Sequence, residues 1–217
     1  MKNKERNYAF IDGNNLYLST SNDIFNKKGR RIYRGWKVDY KRFRQYLKDK
    51  FNVEKAYLFI GFNPENQSMY TNLQQLGYVC IFKPILEMTD GKVKGNVDAE
   101  LVLHAMIEYR NYSKAVIVSG DGDFYCLIEY LAGQGKLKKV LIPNEYSYSS
   151  LLDKLNPEKN DILGFISRLR GKLEYRHKKR SQILSVSPVA PAVIEKDKKV
   201  SYPKNNKKFL RKTINVK

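Results

Sequence analysis

The 217-residue chain carries 41 Lys+Arg against 22 Asp+Glu, for a net charge of +19, and 42% of its residues are hydrophobic. That length holds one well-buried domain with an appendage, and the apolar share is that of a globular rather than a fibrous or wholly disordered protein. So positive a chain points to a polyanionic partner, with nucleic acid first.

Cys80 and Cys126 lack any CxxC spacing and sit in apolar contexts. They read as buried, reduced thiols, which excludes a disulfide framework and a cysteine zinc site. His104 and His177 have no metal-spaced partner. No apolar run approaches membrane-spanning length. The charged opening Met1 to Arg6 leads straight into a strand, unlike a secretory leader. The expected location is cytoplasmic.

In chain order, Tyr8 to Ile11 is a first strand, ended by Asp12-Gly13-Asn14-Asn15, and Leu16 to Leu18 begin a helical turn. Asn22 to Lys37 reads as a loop dense in base and aromatic. Asp39 is an N-cap for a helix through Lys50, with Phe43, Tyr46, Leu47 and Phe51 on its buried face. Val53 to Ile60 is the second strand, and Asn63-Pro64 opens a helix to about Leu76. Gly77 ends that helix and Tyr78 to Phe82 form the third strand. Pro84 to Asn96 is a connection carrying Asp90, Lys92, Lys94 and Gly95.

Val97 to Tyr109 is helical, with Asp98 in its first turn. Ala115 to Val118 is a continuous apolar, mostly β-branched run, the pattern of a strand buried on both faces. It stops at Ser119-Gly120-Asp121-Gly122-Asp123, and Phe124, Leu127, Ile128 and Leu131 then repeat with helical spacing. Leu137 to Ile142 is the fifth strand. Ser150 to Asp153 has capping-box spacing, and a last amphipathic helix is expected over Glu158 to Leu173.

Strands alternating with helices imply a parallel five-stranded sheet in a three-layer α/β/α sandwich. Right-handed crossovers with one reversal give the order 3-2-1-4-5, which makes strands one and four neighbours at the switch point. The domain then occupies residues 1–175. Residues 176–217 hold 13 Lys+Arg against 2 Asp+Glu, with a linker-like Ser187 to Ala192, and read as a disordered basic tail.

Asp12, Asp98, Asp121 and Asp123 come from three segments that this topology gathers at one crevice. Carboxylates completed by water suit a hard octahedral ion, Mg²⁺ or Mn²⁺. Such an ion binds a phosphodiester oxygen and activates water, so phosphodiester hydrolysis matches both the acids and the basic surface. Each acid also has a plainer reading. Asp12 and the Asp-Gly pairs make turns and caps, and Asp98 in a first turn complements the helix dipole.

Phe10 to Leu16 (FIDGNNL), Lys94 to Asp98 (KGNVD) and Val118 to Phe124 (VSGDGDF), in that order and spacing, resemble the NYN domain, a PIN-like branch of metal-dependent ribonucleases. The resemblance covers roughly residues 7–173. It implies a PIN-like fold and Mg²⁺- or Mn²⁺-dependent cleavage of single-stranded or structured RNA. It implies Asp12, Asp98 and Asp121 as metal ligands, and Asp123 as a ligand or an acid orienting the attacking water. Asn15 would be a polar partner fixing Asp12 or the scissile phosphate.

Outside those motifs, Arg30, Arg31, Tyr33, Arg34 and Trp36 could grip backbone and stack bases; the alternative is that the aromatics fold back onto the core. Lys94 has a phosphate-contact reading and a solvated-loop reading. His104 is read as an ordinary helix residue. A second function class is an RNA-binding adaptor that keeps the fold without turnover. A third, a phosphatase or Toprim-like enzyme, fits less well. Phosphatases of that type put Asp-x-Asp after an early strand, and Toprim expects Glu where Asp12 stands. The sequence leaves a homo-oligomer open.

Overall fold

A computed structural model of the chain describes residues 5–83, 86–87, 93–94, 97–155 and 162–176. The expected features at Asp90, Lys92, Gly95 and Asn96, the start of the last helix at Glu158, and the basic tail beyond Arg176 lie outside the described residues.

The chain opens with β1 (Asn7–Asp12), α1 (Gly13–Ser21), the short strands β2 (Ile24–Phe25) and β3 (Arg31–Tyr33), and α2 (Tyr40–Phe51). Next come β4 (Val53–Gly61), a 3₁₀ turn at Pro64–Asn66 running into α3 (Gln67–Gln75), and β5 (Tyr78–Lys83). The pair β6 (Leu86–Glu87) and β7 (Val93–Lys94) precedes α4 (Val97–Ile107). The remainder is β8 (Lys114–Val118), α5 (Tyr125–Gly133), β9 (Leu137–Ile142), a 3₁₀ segment at Ser150–Leu155, β10 (Leu163–Phe165) and α6 (Arg170–Leu173).

The main sheet runs β10-β9-β8-β1-β4-β5 and every neighbouring pair is parallel. The reversal falls between β1 and β8, as the sequence implies. The sheet has six strands rather than five. The added strand, β10, lies inside the segment expected to be one helix over 158–173. Its apolar residues suit either state, but the outer edge of β9 offers unpaired backbone groups, and Leu163 to Phe165 take them in register with Val140 to Ile142. Helix is left only to a 3₁₀ turn at Ser167–Leu169 and to α6.

Alternation along each strand divides the core into two layers. Ala9, Ile11, Leu58 and Ile60 face Phe43 and Leu47 of α2 and Met69, Tyr70 and Leu73 of α3. Tyr8, Phe10, Tyr57, Phe59 and Ile117 face Leu101 and Ala105 of α4 and Leu127, Ile128 and Leu131 of α5. Asp39 caps α2 as expected, its carboxylate accepting from the Arg42 amide at 3.1 Å.

Two further expectations are corrected. The Asn22–Lys37 loop contains an antiparallel hairpin, β2 with β3, whose turn is closed by Asn26 Oδ1 accepting from the Lys28 and Arg30 amides. Cys126 is exposed on α5, on the side turned away from the sheet, while Cys80 is half-buried and burial pushes its thiol up to about 11.

Candidate functional site

The period of two that buries Phe10 towards α4 carries on to Asp12, the last residue of β1. The same step takes Ile117 to Ser119 beyond β8, and Ile81 to Lys83 at the end of β5. All three therefore face the α4 side at the carboxyl ends of the strands. Helix α4 packs across β1 and β4 and brings Asp98, in its first turn, over that edge. This is the crevice that open α/β sheets form where strand order reverses.

Hydrogen bonds lock the two strand ends together. Asp12 is 5% exposed, and its Oδ1 accepts from the Asn15 amide at 2.9 Å as the N-cap of α1. Ser119 Oγ donates to Asp12 Oδ2 at 3.4 Å and accepts from the Asp121 amide at 3.1 Å. The Gly120 amide donates to Asn15 Oδ1 at 2.9 Å, so Asn15 spans both strands and its carbonyl oxygen is spent on protein. Asp121 Oδ1 accepts from the Asp123 amide at 3.0 Å and caps the turn at Gly122–Phe124. Gly122 leaves no room for a side chain here, since a Cβ would stand 2.4 Å from Ser149 Oγ.

Burial pushes the Asp12 carboxyl up to about 6, and the charges of Asp98 and Asp121 push it the same way, against the Asn15 amide and the Ser119 hydroxyl. Three acids from separate segments thus share one field. Asp123 is exposed and is not among the charges acting on Asp12. On the β5 side, burial lowers the Lys83 ammonium while Asp98 and Glu100 hold it up, and its shielded Nζ has no hydrogen-bond partner among the described residues.

Among the described residues, no three acidic, imidazole or thiol side chains stand close enough to enclose an ion. The donor set nonetheless fits a hard cation, since Mg²⁺-type sites use one or two carboxylates and fill the rest with water and substrate phosphate. A buried carboxylate facing two further acids is also the arrangement that a divalent charge relieves.

The hairpin differs from its expected role. Tyr33 and Trp36 are 8% and 4% exposed and belong to the α2-side core, so neither ring offers a face to a base. Both residues are held to one carbonyl of α1: the Tyr33 hydroxyl donates to Thr20 O at 3.1 Å, and the Trp36 backbone amide to the same oxygen at 2.9 Å. Arg30, Arg31 and Arg34 remain exposed, with Arg31 paired to Asp23 at 3.0 Å. Lys94 pairs with Leu86 through the β6–β7 backbone.

Sequence reasoning missed Ser119 and Lys83, although extending the strand alternation by one step would have found both. It also missed Asn144, fully buried after β9, for which no local pattern gave a signal.

Comparison with known proteins agrees with this architecture. The chain is 30% identical over 132 residues to "Low amplitude and bright protein LabA" of Synechococcus elongatus, an alignment covering 56% of this chain and 65% of that protein. The crystal structure of VPA0982, a Vibrio parahaemolyticus protein of unknown function, superposes with a TM-score of 0.58 at 24% identity, over 76% of this chain and 95% of the other. Residues 7–156 match the NYN domain, which takes in β1 through the 3₁₀ segment after β9 and every carboxylate discussed above; the chain belongs to the NYN domain family.

Proposed function

We propose that the protein is a metal-dependent ribonuclease that hydrolyses RNA phosphodiester bonds at the Asp12 crevice. The observation that carries the reading is the buried Asp12 carboxyl, pushed up to about 6 by burial and by the neighbouring charges of Asp98 and Asp121. Such a cluster is costly by itself and repels a polyanion; it becomes useful when it holds a cation.

Asp12, with Asp98 and Asp121 reaching the ion directly or through coordinated water, would hold Mg²⁺ or Mn²⁺, which when bound would lower the pKa of a coordinated water and offset charge developing at phosphorus. Asn15 and Ser119 fix the Asp12 carboxylate through both oxygens. Asp123, exposed one short turn beyond Asp121, orients the attacking water and accepts its proton. Lys83 supplies positive charge beside Asp98. The exposed Arg30 and Arg34 draw in the RNA backbone.

The test is cleavage of labelled RNA with Mg²⁺ or Mn²⁺ by the purified chain. Cleavage is expected to fall to background in both Asp12→Asn and Asp121→Asn; retention in both rejects the site. A second reading, an RNA-binding adaptor without turnover, draws on the exposed arginines of the hairpin region, which can bind backbone whether or not the crevice holds a metal. It expects RNA binding with no cleavage under any divalent ion.

A further inference from the structure

Tyr146 stands where the chain leaves β9, and it is 54% exposed. What sets this ring apart is how its turn is held, through three hydrogen bonds. The Tyr146 amide donates to Asn144 Oδ1 at 3.0 Å, and Asn144 Nδ2 donates to Ser19 O of α1 at 2.8 Å. Asn144 is wholly buried, so this turn is pinned to α1 from beneath. Three residues on, the Ser149 amide donates to Gly120 O at 2.9 Å, and Ser149 packs on Gly122. The turn is thereby fixed against the segment that carries Asp121.

On its other side the Tyr146 ring meets Tyr33 of the hairpin, with centroids 6.2 Å apart and planes tilted by 46°. Tyr33 is buried, so that contact anchors Tyr146 at one edge and leaves much of its surface open. Arg34, next to Tyr33, is exposed, and Arg168 stands close to Tyr146 in an ion pair with Glu145 at 2.7 Å; the exposed Asp23, which accepts from the Gly35 amide at 2.7 Å, offsets part of that positive charge.

We propose that Tyr146 is a stacking platform for an unpaired RNA base, seated between the carboxylate crevice and the basic hairpin. The proposal rests on reading the crevice as a site for RNA, and it narrows the substrate to single strands, or to loops and ends of structured RNA. A base within a duplex is already stacked and offers no free face, whereas an unpaired base gains from an aromatic plane whatever its identity. A pinned ring loses little freedom on binding, which is what a platform requires. Arg34 beside Tyr33, and the largely exposed Arg168 even while paired to Glu145, offer contacts to a phosphate backbone running past the ring, and charged groups on this surface disfavour an apolar protein partner.

The experiment is fluorescence anisotropy of labelled ten-nucleotide single-stranded RNA and of a duplex of equal length, with the full chain in Ca²⁺ to neutralise the crevice and the RNA checked for intactness on a gel. Tyr146→Ala is expected to weaken single-strand binding about tenfold while leaving duplex binding and the salt slope unchanged. Tyr146→Trp is expected to retain wild-type affinity. Arg30→Ala with Arg34→Ala is expected to flatten the salt slope instead. The proposal is overturned if Tyr146→Ala binds single strands as tightly as wild type, if it loses single strand and duplex equally, or if wild type binds neither. It is also overturned if Tyr146→Ala abolishes a concentration-dependent self-association seen by sedimentation while RNA affinity stands, for then the ring serves a protein contact. Binding without cleavage would sink the nuclease reading and leave this one intact. Cleavage with unchanged KM in Tyr146→Ala would do the reverse.

Discussion

The Gly120 amide donates to Asn15 Oδ1 at 2.9 Å, and this one hydrogen bond ties the end of β8 to the start of α1 across the reversal in the sheet. It couples two functional turns that are 105 residues apart in sequence. Replacing Asn15 by Leu removes the acceptor and leaves the Gly120 amide unsatisfied in a part-buried site. A loss of about 1–3 kcal/mol is expected, read as a lower urea midpoint with unchanged slope. Asn15→Asp keeps an acceptor but adds a charge beside Asp12, so its loss is expected to be larger at pH 7 than at pH 5.

Asp12 makes stability depend on pH in the direction opposite to an ordinary paired carboxylate. Its folded pKa, about 6, lies above the ordinary aspartate value of 3.8, so the folded state binds the proton more tightly. Stability therefore falls as pH rises from about 4 to about 6, by about 3 kcal/mol in total from this group, and the penalty is fully present above that range. Asp12→Asn is expected to remove that decline in thermal unfolding measured in EDTA. Millimolar Mg²⁺ or Mn²⁺ at pH 7 is expected to raise the Tm of wild type and not that of the variant.

Gly122 gives a test of packing independent of charge. A methyl group there would stand 2.4 Å from Ser149 Oγ and 2.9 Å from its Cβ. Gly122→Ala is expected to cost about 1–3 kcal/mol and to displace the Asp121 turn, lowering any divalent-ion response along with stability. Ser149→Gly in the same chain clears both atoms and is expected to recover most of the loss. The two changes should then be clearly non-additive in a double-mutant cycle.

Much of this was legible in the residues because local and global signals agree. The Ala115–Val118 run has the pattern of a strand covered on both faces, and the Asp39 cap marks the start of α2 to the residue. The order of five strands followed from right-handed crossovers with one reversal, and that order was enough to bring Asp12 beside Asp121. What escaped was decided by tertiary partners. Leu163 to Phe165 becomes strand because β9 has a bare edge, which a helix-spaced apolar pattern cannot announce. Trp36 and Tyr33 sit among arginines in sequence, yet both are held to the Thr20 carbonyl. Asn144 declares itself only once α1 and the turn after β9 are seen to meet.

The segment after α6 is stitched back to the entrance of α2. Glu174 bridges to Val38, the Asp39 amide donates to Leu173 O at 2.8 Å, and the Tyr175 amide donates to Lys37 O at 2.8 Å. Arg170 reaches Arg34 O at 3.0 Å in the same seam. The family match stops at residue 156, well short of this seam. A chain shortened to that point would expose the flank of β9 and strip the entrance of α2 of its covering turn. It is expected to come out insoluble or loosely packed, with a broadened, weakly cooperative melt, whereas one ending after Arg176 should melt like the whole protein. The smallest version worth making is thus set by where the backbone returns to the neck of α2, and not by where likeness to relatives fades.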